Sequence, residues 1–353
     1  MTSWTEILND SVETVDALAH HLPVHTEAIE EVIQVYPMRI NAYFLDLVKR
    51  KGDSLARQVV PDSQELLDTV GFVDPLAEEQ NSPVPNLIHR YPDRVLFLVS
   101  SVCGVYCRFC TRKRRLGHTD AIKNKDIEKG LLYIREHREV RDVLLSGGDP
   151  FLLSDARLEW ILSRVREISH VEIIRIGTRV PSVLPQRITP DLVCLLKKFH
   201  PLYINVHFNH PDELTPESQN ACALLADGGI PLGNQTVLLK GINDDPEIMS
   251  DLMKNLTKIR VRPYYLHQAD LVKGTDHFRT TIASGLRIME SLRERISGSV
   301  LPAYVVDLPG GGGKVPLLPE SVAAMHAQEG VFKNHGRLCT YPQPLALSTT
   351  VLS

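Results

Sequence analysis

Between residues 95 and 267 the chain repeats one texture. Short apolar, β-branched runs recur: VLFLVSS (95–101), DVLLSG (142–147), VEIIRIG (171–177), LYINVHF (202–208), LGNQTVLL (232–239) and VRPYYLH (261–267). Stretches with helical spacing, such as DARLEWILSRVREI, TPDLVCLLKKF and TPESQNACALLADGG, separate them. Parallel strands need long crossovers, usually helices, so the alternation predicts a parallel sheet covered by helices. Nearly continuous apolar strands fit a sheet buried on both faces. The expected fold class is α/β, a partial (β/α)6-type barrel; a doubly wound open sheet is the alternative.

In either fold, ligands gather at the carboxyl ends of the strands. The chemically capable residues sit there. Cys103 follows the first run. Ser146, Gly147, Gly148 and Asp149 close the second, and Thr178 and Arg179 the third. His207, Asn209 and His210 end the fourth, and His267 and Asp270 the sixth. Residues 1–88 read as a helical N-terminal region, with EAIEEVIQVYPMRINAYFLDLVKRKG interrupted at Pro37. Residues 89–320 form the expected core, and 321–353 a short covering tail.

Composition removes several classes of function. With 353 residues, 43% of them hydrophobic, the chain can bury a large core. A net charge of -4 argues against nucleic acid as the main partner, the basic run at 112–115 being local. No window of eighteen apolar residues predicts a membrane span. The start, MTSWTEILNDSVETVDALAHHLP, lacks a basic region followed by an apolar block. No secretory signal is therefore read, and a cytoplasmic location is expected. Six cysteines in this length, three of them clustered, suit metal or redox chemistry better than a disulfide framework.

The cluster is SSVCGVYCRFCTRKRRLG, with Cys103, Cys107 and Cys110 spaced C-x3-C-x2-C. A structural zinc site closes with four ligands. Cys194 and Cys222 fall in helical patterns and read as core residues; a histidine could serve as fourth ligand, so zinc stays open. A four-iron cluster held by three thiolates keeps one iron free for an outside ligand. The second chemical segment is VVDLPGGGGKVPLLPE (305–320). A phosphate-binding P-loop needs a glycine six residues before its lysine and a hydroxyl after it. Leu308 and Val315 occupy those positions around Lys314. A sheltered lysine can instead form a Schiff base, notably with pyridoxal phosphate.

CGVYCRFC resembles the cluster loop of the radical S-adenosylmethionine enzymes. From about residue 35 to about 320 the chain is similar to the lysine 2,3-aminomutase family, through DPLAEEQNSPVPNLIHRYPDRVL, SGGDP, RVPSVLPQRIT, HFNHPDELT, NQTVLLKGIND, PYYLHQADLVKGTDHFRT and PGGGGK. The resemblance implies an isomerase that converts L-lysine to β-lysine with a [4Fe-4S] cluster, S-adenosyl-L-methionine and pyridoxal 5′-phosphate. It implies that Cys103, Cys107 and Cys110 hold the cluster and that Lys314 carries pyridoxal phosphate. Arg90, Tyr91 and Arg94 would hold its phosphate. Ser146, Gly147, Gly148, Asp149, Thr178, Arg179, His207 and Gln235 would face S-adenosylmethionine. Arg112 would take the substrate carboxylate, and Asp270 and Asp307 the distal ammonium. A guanidinium also satisfies two carboxylates, so arginine is the competing substrate. A non-catalytic iron–sulfur or zinc protein is the competing class. A flavodoxin- or ferredoxin-like electron donor and a homo-oligomer are the implied partners. The tail has only Cys339, so the structural zinc site of some relatives is not expected.

Overall fold

The computed structural model describes residues 3–117, 122–318, 322–326, 329–334 and 337–342. Five helices come first: α1 (Trp4–Asn9), α2 (Val15–Ala19), α3 (Thr26–Val35), α4 (Ala42–Lys51) and α5 (Asp53–Val59). The interruption expected at Pro37 is there. The residue before a proline is pushed towards extended geometry; Tyr36, at φ -128° and ψ 96°, ends α3. Asn41 then opens α4, its side chain accepting from Phe44 N at 2.9 Å.

Seven strands run parallel in sequence order. They are β2 (Arg94–Ser100), β3 (Asp142–Gly147), β4 (Ile173–Gly177), β5 (Leu202–Val206), β6 (Leu232–Leu238), β7 (Val261–Gln268) and β8 (Ala303–Leu308). Two antiparallel strands flank them, β1 (Leu87–Tyr91) beside β2 and β9 (Gly313–Pro316) beside β8. The crossovers carry α6 (Asn124–Glu136), α7 (Asp155–Arg166), the short α8 (Val180–Val183), α9 (Pro190–Lys197), α10 (Pro216–Asp227), α11 (Pro246–Lys258) and α12 (Ile282–Arg295). Ser154, Thr189, Thr215, Asp245 and Thr281 cap five of these helices through side-chain oxygens. In three, proline occupies the first turn, where its missing N–H costs nothing.

The strand order never reverses, which separates this sheet from the doubly wound alternative. Its two ends meet through side chains. Lys314 N on β9 donates to Tyr91 Oη on β1 at 3.1 Å, and Arg90 of β1 pairs with Asp307 of β8. The result is a partial barrel with a side-chain seam.

Strand parity sorts the two faces. Phe97, Val143, Leu145, Ile174, Ile204 and Leu266 are fully buried on the face that packs against helices. Paired residues of the other face line the lumen: Leu144 with Arg175, Gly177 with Asn205, Gln235 with Tyr265, Val237 with His267, and Asp307 with Lys314.

Six strands are expected from the sequence texture, and the sheet has nine. β8 is short and runs straight into the glycine segment, so its apolar run merges with that motif. The expected short tail contains β10 (Val322–Met325), β11 (Glu329–Asn334) and β12 (Arg337–Pro342), which form a separate antiparallel sheet.

Candidate active site

The cysteine loop leaves β2 and is held by its neighbours at several points. Gly148 N donates to Ser100 O and Asp149 N to Val102 O, both at 2.7 Å. These bonds explain the two glycines of SGGDP. A Cβ on Gly147 would lie 2.1 Å from Ser100 O, and one on Gly148 would lie 2.3 Å from Val102 O. The close approach is therefore to the backbone that leads into Cys103. Gly147 also takes φ +127°, a conformation that favours glycine.

From the other side the N-terminal helices grip the loop. Asn41 Nδ2 donates to Gly104 O at 3.0 Å, Tyr106 N to Arg39 O at 2.9 Å and Arg108 N to Gln58 O at 2.9 Å. Two cations of the cysteine loop are structural. Arg108 and Lys113 are buried on a single carboxylate, Glu65, at 2.5 and 2.6 Å.

Cys103, Cys107 and Cys110 are free and partly accessible. Burial, with the neighbouring thiols, pushes Cys110 up to about 11 and Cys103 well above its ordinary value. Metal binding to such a set must release protons. Arg179 Nη1 donates to Cys107 Sγ at 2.8 Å. Among the described residues, no three His, Cys, Asp or Glu side chains converge as a single-ion site.

Asp149 is buried and accepts from Thr178 Oγ1 at 2.8 Å, Arg179 N at 2.7 Å and Phe151 N at 3.0 Å. It thereby ties the ends of β3 and β4 together. Burial still pushes its carboxyl up to about 6. His207 and His267 stay neutral. Burial, then Arg179 and His267, lowers His207 to about 3, and burial, then Lys314, lowers His267 to about 3. Ser146 and Gln235 lie on the lumen face.

At the seam, Lys314 Nζ lies 2.5 Å from Asp307 Oδ2, and Arg90 Nη2 lies 2.9 Å from Asp307 Oδ1. Arg90 also donates to Tyr91 Oη at 3.1 Å. The Arg94 guanidinium stacks 4.0 Å from the Tyr91 ring centroid, more exposed than Arg90 and paired with Asp93. Asp270 is close enough to feel Asp307, Lys314 and Arg90. Burial, then Asp307, pushes its carboxyl up to about 7. Its Oδ1 is buried with no hydrogen-bond partner. Arg112 lies near Cys110 and Cys103 and is engaged by Glu78, with Nε 2.8 Å from Oε1.

The structure thus gathers the expected residues into two adjoining groups, the thiols with Arg179 and the seam with Lys314. Glu78, which touches Arg112 and influences Asp270, lies between them. Sequence reasoning misses Glu78, Gln58 and Glu213, whose buried roles only partners distant in sequence disclose. Three thiols beside a guanidinium suit an anionic cluster. A lysine with two arginines and a phenol within reach suits an aldehyde cofactor that carries a phosphate.

A sequentially wound parallel barrel with three thiols on the loop after its first parallel strand defines the class, the radical S-adenosylmethionine enzymes, and residues 97–252 match the Radical SAM superfamily. Residues 289–350 match the family described as Lysine-2,3-aminomutase. The chain is 49% identical over 349 residues to the L-lysine 2,3-aminomutase of Acetoanaerobium sticklandii, covering 97% of this chain and 84% of that protein. It is 48% identical over 350 residues to that of Clostridium subterminale, with the same coverage of 97% and 84%. It is also 46% identical over 319 residues to the glutamate 2,3-aminomutase of Clostridioides difficile, covering 89% of this chain and 76% of that one. The chain belongs to the lysine 2,3-aminomutase family, radical isomerases whose cofactors are a [4Fe-4S] cluster, S-adenosylmethionine and pyridoxal phosphate.

Proposed function

We propose that this protein moves the amino group of L-lysine from C2 to C3, giving β-lysine. The carboxylate pair Asp270 and Asp307 carries this reading. Two neighbouring buried carboxylates are costly unless a cation neutralises them. Here the cations are Lys314 and Arg90 at Asp307, while Asp270 keeps an oxygen without a partner. A substrate with a distal ammonium satisfies that pair; one with a distal carboxylate is repelled. The 46% identity to a glutamate enzyme makes overall likeness a poor guide to substrate, so these two residues decide it.

When bound, the cluster and S-adenosylmethionine supply a carbon-centred radical, and pyridoxal phosphate supplies the group through which nitrogen migrates. Cys103, Cys107 and Cys110 would hold the cluster. Ser146, Gly147, Gly148 and Asp149 would orient the amino end of S-adenosylmethionine, and Thr178, His207 and Gln235 its remainder. Lys314 would bind the pyridoxal, with Arg90, Tyr91 and Arg94 on its phosphate. With Lys314 engaged there, Asp307 would be free to take the substrate ammonium. Arg112, beside the thiols, would fix the α-carboxylate. Holding both ends of the substrate keeps the reacting C–H in contact with the radical source. Neutral His207 and His267 bring no charge into that space.

A low-potential protein electron donor and self-association complete the reading, with a cytoplasmic setting. Among the described residues no helix is long and apolar enough to cross a membrane. In the decisive experiment, anaerobically reconstituted, reduced enzyme is offered lysine, arginine and glutamate, and the β-isomers are identified. Lysine turnover is expected. A preference for arginine would transfer the assignment. Asp270→Ala and Asp307→Ala should lose lysine turnover yet keep iron and pyridoxal; normal turnover in both removes the substrate choice.

A further inference from the structure

We propose that Arg179 acts on the iron–sulfur cluster as well as on the shape of the site: its guanidinium donates a charge-assisted hydrogen bond to the Cys107 sulfur and raises the cluster's reduction potential. The inference rests on Cys107 being a cluster ligand. It starts from how completely the side chain is built in. Arg179 is 8% exposed, and its guanidinium lies over the rings of Phe109 and Phe44 at 5.2 and 5.7 Å. Nη2 is held by Gln58 Oε1 at 2.6 Å and Glu213 Oε2 at 3.3 Å. The backbone N–H is fixed on Asp149 at 2.7 Å. Nε is buried without a hydrogen-bond partner, and Nη1 points at sulfur, 2.8 Å away.

The charges favour that direction. Glu213 is fully buried, but its negative charge is already spread over five donors. Gln58 Nε2 reaches it at 3.1 Å, Asn209 N and His210 N at 3.0 Å, and Ser182 Oγ at 2.5 Å, besides Arg179. A carboxylate so occupied neutralises the far side of the guanidinium and leaves the sulfur-facing edge electropositive. Hydrogen bonds to cluster sulfurs and local charge are established determinants of cluster potential. In a buried setting such a contact is stronger than in water. A guanidinium suits the task because its fork stays charged while bonding in several directions at once.

The step affected is the one-electron reduction of the cluster by a low-potential one-electron donor. One electron enters, no bond breaks, and the guanidinium keeps its protons. The added negative charge is better tolerated with Arg179 in place, so its loss makes reduction harder.

The test is a potentiometric titration of the reconstituted enzyme, followed by electron paramagnetic resonance of the reduced cluster. Arg179→Gln should retain iron and sulfide but show about a tenfold lower reduced-to-oxidised ratio at a fixed potential, about 59 mV for a one-electron couple. Arg179→Lys should recover part of the shift. An unmoved potential in Arg179→Gln overturns the inference. Should that variant fail to hold a cluster, native enzyme labelled with 15N-arginine gives the answer by pulsed resonance. A nitrogen coupling to the reduced cluster supports the contact, and its absence overturns it. Native enzyme that holds no iron–sulfur cluster would instead sink the underlying cluster reading.

Discussion

At the scale of single residues, Asp270 has the most informative environment. Its carboxyl is pushed up to about 7 by burial and then by Asp307, against about 3.9 in an unfolded chain. Between those values the folded protein holds the extra proton. Stability therefore falls as pH rises through that window and stays at its lower level above it. At about 1.4 kcal/mol per unit the ceiling is about 4 kcal/mol. Asp270→Asn, freed of substrate, should melt at a higher temperature than the parent at pH 8, and the gap should close towards pH 4. Thermal melts at both values check this; equal gaps would exclude an ionised buried carboxylate as the cause. A bound lysine ammonium should pull the proton off, so in the parent enzyme the KM for lysine should rise as pH falls below about 7. Residues of this kind are legible in a sequence when their type declares chemistry, as with Cys103, Cys107, Cys110, Lys314 and the aspartates in their motifs. Glu78 and Glu213 are not. A glutamate in a loop looks solvated until Arg112 or Arg179 is seen against it.

At the scale of elements, the six central strands were readable because burial on both faces leaves unbroken apolar runs. β8 and β9 were not, since the first is absorbed into the glycine segment and the second, GKVP, has little strand character in its letters. β1 is similar, with His89, Arg90 and Tyr91 in place of apolar residues and a register shift between Ile88 and Tyr91. The SGGD turn stands out in the sequence as two adjacent glycines, but what they make room for does not: it is the backbone leading into Cys103. Gly148→Ala puts a methyl 2.3 Å from Val102 O, which cannot retreat without straining the bond it accepts from Asp149 N. A loss of about 3 kcal/mol is expected, at the upper end for overpacking, together with substoichiometric iron. At Gly298 a Cβ would meet nothing within 4 Å, so Gly298→Ala should change stability by less than about 0.5 kcal/mol. Urea unfolding of the two variants, with iron assay, compares them directly; equal effects would remove the steric explanation.

At the scale of the whole molecule, the N-terminal helices and the barrel are joined at a buried charge cluster beneath the cysteine loop. Glu65 accepts from Arg108 Nε at 2.9 Å and Lys113 Nζ at 2.6 Å. Arg108 reaches back to Pro37 O at 2.8 Å, and Lys113 across to Gly274 O at 2.9 Å. Two cations thus share one carboxylate. The balance shows in their titration: burial opposes the charge on Glu65, but Arg108 and Lys113 hold its carboxyl below the usual range. Burial, reinforced by Arg108, pulls Lys113 down to about 8 although Glu65 resists. The Glu65 contribution is present above its unfolded value of about 4.3 and is lost as pH falls through the lower folded one. The Lys113 shift has the same sign in a higher window, since stability should climb as pH rises from about 8 towards about 10.4. Removing Glu65 strands both cations, and breaking a buried pair this way costs about 3–5 kcal/mol. Removing Lys113 leaves a neutral pair. Glu65→Gln should therefore be far more destabilising than Lys113→Met at pH 7 and should release iron, since Arg108 and Lys113 bracket Cys110. Lys113→Met should also abolish the gain above pH 8. Denaturant midpoints for both variants at pH 7 and pH 9.5 read out each part. Equal losses at pH 7 would mean that the carboxylate holds no surplus charge, and that the helices dock on the loop through packing alone.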